Sequence, residues 1–168
     1  MILENELGIL SFRNEWQKAS MSILYTYGFL SNSYENFFRR HGLTTQQYNA
    51  LRILRDQYPK PVSTSFLREK MLDKMSDASR LVSRLGGKGL VKVTQNATDK
   101  RLVNIVISEE GRKIINDIDS NLHQLDGLLK GISEEDAEHL VDLLYKVRQS
   151  LRSENQQEHV ASAEQVDA

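Results

Sequence analysis

Arginine, serine and aspartate side chains recur along one short stretch near the middle of the chain. Asp77, Arg80 and Arg84 are three and four residues apart, so they lie on one side of a helix. Three serines lie beside them: Ser76, Ser79 and Ser83. An arginine can donate two hydrogen bonds to guanine O6 and N7, and a serine can bond to bases or phosphates. The pattern predicts a helix that reads DNA base edges; the solvated side of an ordinary amphipathic helix is the alternative.

A second charged group, Asp99-Lys100-Arg101, lies where a predicted β-hairpin turns back. A basic side chain at such a tip can enter a narrow minor groove, where the negative potential is enhanced. Asp99, two residues before Arg101, could orient the guanidinium through a charge-assisted hydrogen bond. The alternative is a surface ion pair, which contributes less than ~1 kcal/mol to stability.

The positive charge of the chain is concentrated in the same region. The net charge is −1 over 168 residues, but residues 60–101 carry ten basic and four acidic side chains, a net of +6. Residues 1–59 have a net charge of +1, and residues 102–168 have one of −8. This distribution indicates a surface that binds an anion, and a chance cluster of solvated lysines is the alternative.

Hydrophobic periodicity predicts six helices and one β-hairpin around these residues. Ser63, Ser76 and Ser108 are the expected N-caps of the third, fourth and fifth helices. The third and fourth helices are joined by a short turn and followed at once by the hairpin, which is the order of a winged helix-turn-helix. The predicted helices cover residues 11–40, 44–58, 64–72, 76–86, 108–130 and 133–151, and the predicted strands cover 90–94 and 101–107.

We therefore predict a mainly α fold with a small β-hairpin wing. A winged helix-turn-helix DNA-binding domain is expected over residues 42–107, helical dimerisation regions over 1–41 and 108–152, and a disordered acidic tail over 153–168. The residues expected to bind DNA are the polar ones of the third helix, the fourth helix and the wing: Ser63, Thr64, Ser65, Ser76, Asp77, Ser79, Arg80, Ser83, Arg84, Lys88, Asp99, Lys100 and Arg101.

Four motifs resemble those of the MarR family of winged-helix transcription regulators. They are Arg-Leu-Val-Ser-Arg-Leu at 80–85, Lys-Gly-Leu-Val at 88–91, Asp-Lys-Arg at 99–101 and Ser-Glu-Glu-Gly at 108–111, within a similarity that covers roughly residues 11–151. The resemblance implies a homodimer that binds a pseudo-palindromic operator, usually as a repressor, and that a small aromatic ligand often releases from DNA. It also implies base or phosphate contacts by the fourth helix and a minor-groove contact by Arg101.

The chain departs from this resemblance at Gly86-Gly87, where family members usually carry larger or charged residues. Each glycine costs a helix up to ~1 kcal/mol relative to alanine. Three interpretations stay open at this point: a frayed end of the fourth helix, close backbone packing, or a lower affinity for DNA.

An aromatic stripe on the first predicted helix includes Trp16, Tyr27, Tyr34 and Phe37. Its spacing favours packing. The alternative is a pocket for a small aromatic effector, with these candidate residues: Trp16, Tyr25, Tyr27, Tyr48 and Arg52.

The fifth predicted helix carries a narrow apolar seam of the kind that two helices use against each other. This seam is longer than a small winged domain needs for its own core. We therefore expect the seam and the sixth helix together to form the interface of a homodimer. The expected interface residues are Ile114, Ile118, Leu122, Leu125, Leu129, Leu144 and Leu151.

The sequence gives little support to other classes of function. It has no cysteine, four scattered histidines and no convergent acid, base or nucleophile, so we expect no metal site, no cofactor and no enzyme activity. The expected partners are double-stranded DNA, a second copy of the chain and a small effector, with no membrane. Absent thiols and an N-terminus unlike a signal peptide favour the bacterial cytoplasm, with nucleoid association when DNA is bound. The alternative function is a winged-helix module that binds an acidic protein instead of DNA.

Overall fold

The computed structural model describes the backbone of residues 2–74 and 77–164. It is mainly helical with one two-stranded antiparallel hairpin, as predicted. The elements in order are α1 (Ile2–Leu7), α2 (Glu15–Arg40), α3 (Thr45–Gln57), α4 (Thr64–Lys70), α5 (Ala78–Gly87), β1 (Val91–Gln95), β2 (Val103–Ile107), α6 (Glu109–Asp119), α7 (His123–Asp126) and α8 (Glu134–Glu164).

Local sequence explains where the central helices begin. Thr44 and Gln47 form the capping box of α3, in which each side chain accepts a hydrogen bond from the backbone of the other residue. Ser63 caps α4 by accepting a hydrogen bond from the Phe66 N–H at 3.1 Å. The predicted cap of α5, Ser76, lies outside the described residues; the structure assigns this role to Asp77, whose carboxylate is an equally good acceptor for the orphan N–H groups.

The hairpin pairs β1 with β2 from Val91 opposite Ile107 to Gln95 opposite Val103. The outer edge of β2 exchanges two backbone hydrogen bonds between Ile105 and Val62, at 2.9 and 3.0 Å. Because Val62 directly precedes the cap of α4, this bridge ties the wing to the start of the helix-turn-helix.

One apolar core holds α3, α4, α5, α6 and the hairpin together. The largest side chains that are almost completely buried are Phe38, Leu51, Leu54, Leu67, Met71, Leu85, Ile105, Ile115 and Ile118. These residues come from both the predicted winged domain and the predicted dimerisation region. The chain divides into two compact units, of which the first ends at Leu125 and the second begins at Asp126.

The long fifth helix that the sequence predicted is interrupted. α6 ends at Asp119, and only the short α7 and a 3-10 turn at Gly127–Leu129 follow before α8. Two side chains at the break bond to the preceding helical turn: Ser120 Oγ donates to the Asn116 carbonyl at 3.1 Å, and Asn121 Nδ2 donates to the Asp117 carbonyl at 2.9 Å. Such local bonds compete with a continuing helix, which explains the interruption.

The two ends of the chain also differ from the prediction. A short helix, α1, precedes α2, whose first turn is capped by Asn14 through a 2.8 Å bond from the Gln17 N–H. α8 continues to Glu164, past Ser153, where the sequence analysis placed a disordered tail. This segment is poor in apolar residues, but it is rich in glutamate, glutamine and alanine and has no glycine or proline, so nothing in it breaks a helix.

Candidate nucleic-acid interface

Helix α5 separates an apolar side from a polar one. Ala78, Leu81, Val82 and Leu85 are buried in the core. The other side of the helix is exposed and carries four of the predicted contact residues: Ser79, Arg80, Ser83 and Arg84. An amphipathic helix that packs its apolar side on the domain must present its polar side to solvent, where a DNA groove can reach it.

Asp77 contacts Arg80, the first arginine on the exposed side of α5. Its Oδ1 caps α5 by accepting from the Arg80 N–H at 3.1 Å, while its Oδ2 lies 3.2 Å from Arg80 Nε. The Arg80 side chain is still 82% exposed. Arg80 is therefore held at the start of the helix without being withdrawn from solvent.

The wing tip is ordered by Asn96. Its Oδ1 accepts hydrogen bonds from the Thr98 N–H, the Thr98 hydroxyl and the Asp99 N–H, at 2.9 to 3.1 Å. Its own N–H donates to the Leu102 carbonyl at 3.0 Å, which closes the loop. Asn96 is not among the residues predicted to bind DNA, although an asparagine that opens a hairpin loop is a recognisable signal for such a turn.

Asp99 and Arg101 form the pair that the sequence suggested. Asp99 Oδ1 accepts from the Arg101 N–H at 2.9 Å and from Arg101 Nε at 3.2 Å, and Oδ2 accepts from Nη2 at 3.2 Å. The Arg101 side-chain and backbone donors lower the pKa of Asp99 below its ordinary value, so the carboxylate stays charged. The Arg101 side chain remains 90% exposed, and the Asp99 carboxylate holds its guanidinium group from one side.

One cleft of about 450 Å³ brings the separate pieces together. The start of α4, the start of α5 and the end of the wing all contribute walls to it. Its lining includes six of the predicted contact residues and one basic residue that the sequence analysis omitted, Arg68: Ser63, Thr64, Ser65, Arg68, Asp77, Ser79 and Arg101. The arrangement combines hydroxyl donors with two guanidinium groups, which suits an anionic oxygen such as that of a phosphate.

The two predicted lysines lie in different surroundings. Lys100 is exposed at the wing tip, where its carbonyl accepts a hydrogen bond from Gln95 Nε2 at 2.8 Å. Lys88 follows α5, and its Nζ donates to the Gly42 carbonyl at 2.7 Å. The amino group of Lys88 is thus engaged within the chain, and its contact with DNA stays a prediction.

Residues 43–103, which contain α3, α4, α5, β1 and the wing tip, match the MarR family model. They form a MarR domain. Solved structures of MarR transcription regulators share the fold over more of the chain. A MarR transcription factor from Planctomyces limnophilus is 27% identical, with a TM-score of 0.63 over 83% of this chain and 99% of that one. Members of the family regulate transcription and are not enzymes.

Two further structures show the same fold at lower identity. AbsC, a MarR family transcriptional regulator from Streptomyces coelicolor, is 20% identical, with a TM-score of 0.71 over 86% of this chain and 99% of that one. Bordetella bronchiseptica BpsR, whose DNA binding is regulated by 6-hydroxynicotinic acid, is 18% identical, with a TM-score of 0.71 over 82% and 98%. A search of curated protein sequences finds no match.

One of the five candidate effector residues, Tyr25, lines a cavity on α2. This shallow cavity of about 370 Å³ is lined by Leu24, Tyr25, Gly28, Phe29 and Asn32.

Another candidate, Tyr48, is buried in the core of the MarR domain. Its ring stacks on Phe38 at 4.3 Å, and its hydroxyl donates to Asp119 Oδ1 at 2.9 Å. Burial, and then the Asp119 carboxylate, raise the pKa of Tyr48 to about 12. Arg52 bonds to Asn49 and Asp56 on its own helix. Both side chains therefore have structural partners.

The predicted dimer seam is divided between buried and exposed residues. Ile118 and Leu125 are buried in the core of the same chain, so they are not available to a partner. Ile114 and Leu122 are partly buried against that core, while Leu129 and Leu151 are exposed and Leu144 is half-buried. Ile118 and Leu125 belong to the first unit of the chain, whereas Leu129, Leu144 and Leu151 belong to the second, which begins at Asp126.

Gly86 and Gly87 form the last turn of α5, which is not frayed in the structure. A Cβ atom at either position would meet no neighbouring atom within 4 Å. Close backbone packing therefore does not explain these glycines.

Within residues 2–74 and 77–164, no cluster of three or more histidine, aspartate or glutamate side chains could hold a metal ion. Among the helices described there, none has the length and apolar character needed to cross a membrane.

Proposed function

We propose that this MarR protein is a homodimeric, sequence-specific DNA-binding regulator that represses transcription from a pseudo-palindromic operator in the cytoplasm. The observation that carries this proposal is the cleft shared by α4, α5 and the wing, which places Arg101, Arg68 and the exposed serines on one surface. In this arrangement α5 enters the major groove, and the wing arginine reaches the adjacent minor groove.

The groups on this surface suit different parts of the DNA because their chemistry differs. Arg80 and Arg84 are exposed on α5 and can donate two hydrogen bonds to a guanine edge. Ser63, Thr64 and Ser65 lie at the start of α4, where hydroxyl and N–H donors suit phosphate oxygens. The net charge of +6 over residues 60–101 supplies sequence-independent attraction to the DNA backbone.

Dimerisation is supported by apolar side chains that the single chain leaves in solvent. On α2, Trp16 is 83% exposed and Tyr27 is 65% exposed. On α8, Val141, Tyr145 and Leu151 are also exposed. Large exposed apolar patches usually mark interfaces, and a two-fold dimer would place two α5 helices about one DNA turn, ~34–36 Å, apart.

The oligomeric state can be measured directly. Light scattering at micromolar concentration should give twice the chain mass of 19.3 kDa. Replacing exposed Tyr27 by Glu should lower that mass without unfolding the winged domain, because Tyr27 is not part of the core. A 19.3 kDa particle that still binds a palindrome tightly would contradict the dimer.

A small aromatic effector is supported by the aromatic walls of the cavity on α2, where Tyr25 and Phe29 meet edge to face at 5.0 Å between ring centres. Regulation of BpsR by 6-hydroxynicotinic acid shows that an aromatic acid can act on a protein of this fold. A thermal-shift screen of aromatic acids and phenols should find a stabilising compound, and Tyr25→Ala should reduce the shift.

The proposed DNA binding is tested by selecting duplexes from a random pool and measuring their affinity by fluorescence anisotropy. An inverted repeat should be enriched, and its affinity should fall as salt rises. Arg13 is exposed and lies outside the cleft, so it offers a control. Arg13→Ala removes one positive charge there and should leave the selected sequence unchanged. If the wild-type protein enriched no sequence and bound random duplex without salt dependence, the protein-binding alternative would replace this proposal.

A further inference from the structure

The corner between α2 and α3, residues 42–46, is bonded near both ends of α5. At the C-terminal end, Lys88 Nζ donates to the Gly42 carbonyl at 2.7 Å. On the N-terminal side, Gln46 Nε2 donates to Asp73 Oδ2 at 2.8 Å, and Asp73 lies in the turn that leads to α5. Both bonds join parts of the chain that are distant in sequence, so they fix the position of α5 relative to the corner.

The corner is itself fixed to the end of α2. The Gly42 backbone is left-handed with φ at +74°, and its N–H donates to the Arg39 carbonyl at 3.0 Å. Leu43 is buried, and its N–H donates to the Phe38 carbonyl at 3.1 Å.

Glu35 adds a polar tie from α2 to the start of α3. Its carboxylate accepts from the Thr45 N–H at 3.0 Å and from the Thr45 hydroxyl at 3.1 Å. The Thr45 N–H is the main reason why the pKa of Glu35 is lowered, so the carboxylate stays charged. A shift of the end of α2 must therefore carry the corner with it.

The last turn of α5 has little else on its surface to hold it. Gly86 and Gly87 have no side chains, and the space beside them is open. The buried Leu85 anchors the helix on its inner side, while Lys88 supplies the polar tie on the outer side.

We propose that Lys88 is a positioning residue, which sets the angle of α5 by holding it to the α2–α3 corner and does not act by binding a DNA phosphate. The proposal rests on the proposed DNA-binding function. It implies that α2, which carries the cavity and the exposed aromatic side chains, is coupled to the DNA-reading helix through Gly42 and Lys88. Gln46 has the corresponding role on the other side.

The two roles of Lys88 differ in their salt dependence. A lysine that neutralises a phosphate contributes about 0.9 to the slope of log affinity against log salt. Lys88→Met keeps the length of the side chain and removes the donor. We expect an unchanged slope, and a loss of about twofold to tenfold in the ratio of affinities for the duplex selected by the wild-type protein and for random duplex. Lys100→Met makes the same chemical change at the exposed wing tip and should lower the slope.

Hydrogen exchange provides a readout that needs no DNA. The N–H groups of Lys88, Gly89 and Leu90 donate to carbonyls of the last turn of α5, at 3.2, 2.9 and 3.0 Å. Lys88→Met should make these amides exchange several-fold faster, while the amides of the buried part of α3 should keep their rates.

The outcomes separate this inference from the proposed function. A slope that falls by about 0.9 with an unchanged affinity ratio would show that Lys88 binds phosphate, and would overturn the positioning role. Unchanged slope, ratio and exchange would overturn it as well. If the wild-type protein showed no salt-dependent DNA binding, the proposed function would fail, and faster exchange in Lys88→Met would still support the tie.

Discussion

The base of the wing is a buried, hydrogen-bonded junction, whereas its tip is held by polar side chains in solvent. At the base, Ser108 Oγ donates to the Gly89 carbonyl at 2.7 Å, the Ser108 N–H donates to the Leu90 carbonyl at 3.0 Å, and Ser108 is buried. At the tip, Asn96, Asp99 and Arg101 are joined by polar bonds in solvent. Substitutions at the base should therefore change stability, and substitutions at the tip should change DNA binding at nearly constant stability.

The largest effect is expected at Gly111, where α6 meets the base of the wing. A Cβ atom there would lie 2.2 Å from the Leu90 carbonyl oxygen and 2.8 Å from Ile107 Cγ1. Because backbone must move to accommodate it, Gly111→Ala should lower the free energy of unfolding by about 3 kcal/mol, measured by denaturant unfolding. Gly86→Ala is the matched control: its Cβ would meet open space within a helix, so the change should be neutral or stabilising by up to ~1 kcal/mol. Equal stabilities of the two variants would remove the distinction.

At the tip, Arg101→Ala should weaken binding to the selected duplex by about tenfold to a hundredfold, the usual range for a hydrogen bond to a charged group. The loss should be greatest for sites with an A·T-rich flank, because the narrow minor groove attracts the guanidinium most strongly. Thermal unfolding should be nearly unchanged, since the Arg101 side chain is exposed. A comparable loss on all duplexes would assign Arg101 to general phosphate attraction.

Asp99→Asn tests whether orientation or charge matters more at the tip. The substitution removes a negative charge near the DNA, which by itself should strengthen binding. If Asp99 acts by orienting Arg101 through its two oxygens, affinity should instead fall by a few-fold. Anisotropy at two salt concentrations separates the two effects, and tighter binding by the variant would show that orientation contributes little.

The pH dependence of this pair has a defined sign. Since Arg101 lowers the pKa of Asp99, the interaction is fully present above the unfolded pKa of about 3.9 and is lost as pH falls through the lower folded value. Titration of the Asp99 carboxylate by NMR should therefore show no protonation between pH 5 and 8. A midpoint inside that range would contradict the geometry of the pair.

Features that depend on residues close together in the chain could be predicted from sequence. Caps such as Thr44 with Gln47, and Ser63 before α4, depend on residues three positions apart, so local pattern was sufficient. The hairpin followed from alternating β-branched residues and its loop. The exposed side of α5 followed from helical spacing.

Features that depend on distant parts of the chain could not be read in the same way. Asp119 accepts a hydrogen bond from Tyr48 and forms an ion pair with Arg55, and both of these residues are on α3. Asp119 is also the last residue of α6, although the apolar periodicity predicted a helix that continues beyond it. Lys88 lies 46 residues from the glycine whose carbonyl it binds. Periodicity identifies an apolar side but not its partner, and for this reason Ile118 and Leu125 were assigned to a dimer instead of to the core of their own chain.

The most direct test of the central claim compares the base preferences of the wild-type protein, Arg80→Ala and Arg101→Ala in one selection from random duplexes. Arg80→Ala should lose preference at one or two base pairs in each half-site, at a cost of ~1–3 kcal/mol each, and should keep the preference for the flank. Arg101→Ala should keep the half-site preference and lose that of the flank. If both variants selected and bound the same duplexes as the wild-type protein, with the same affinities, α5 and the wing would not be the DNA-reading surface.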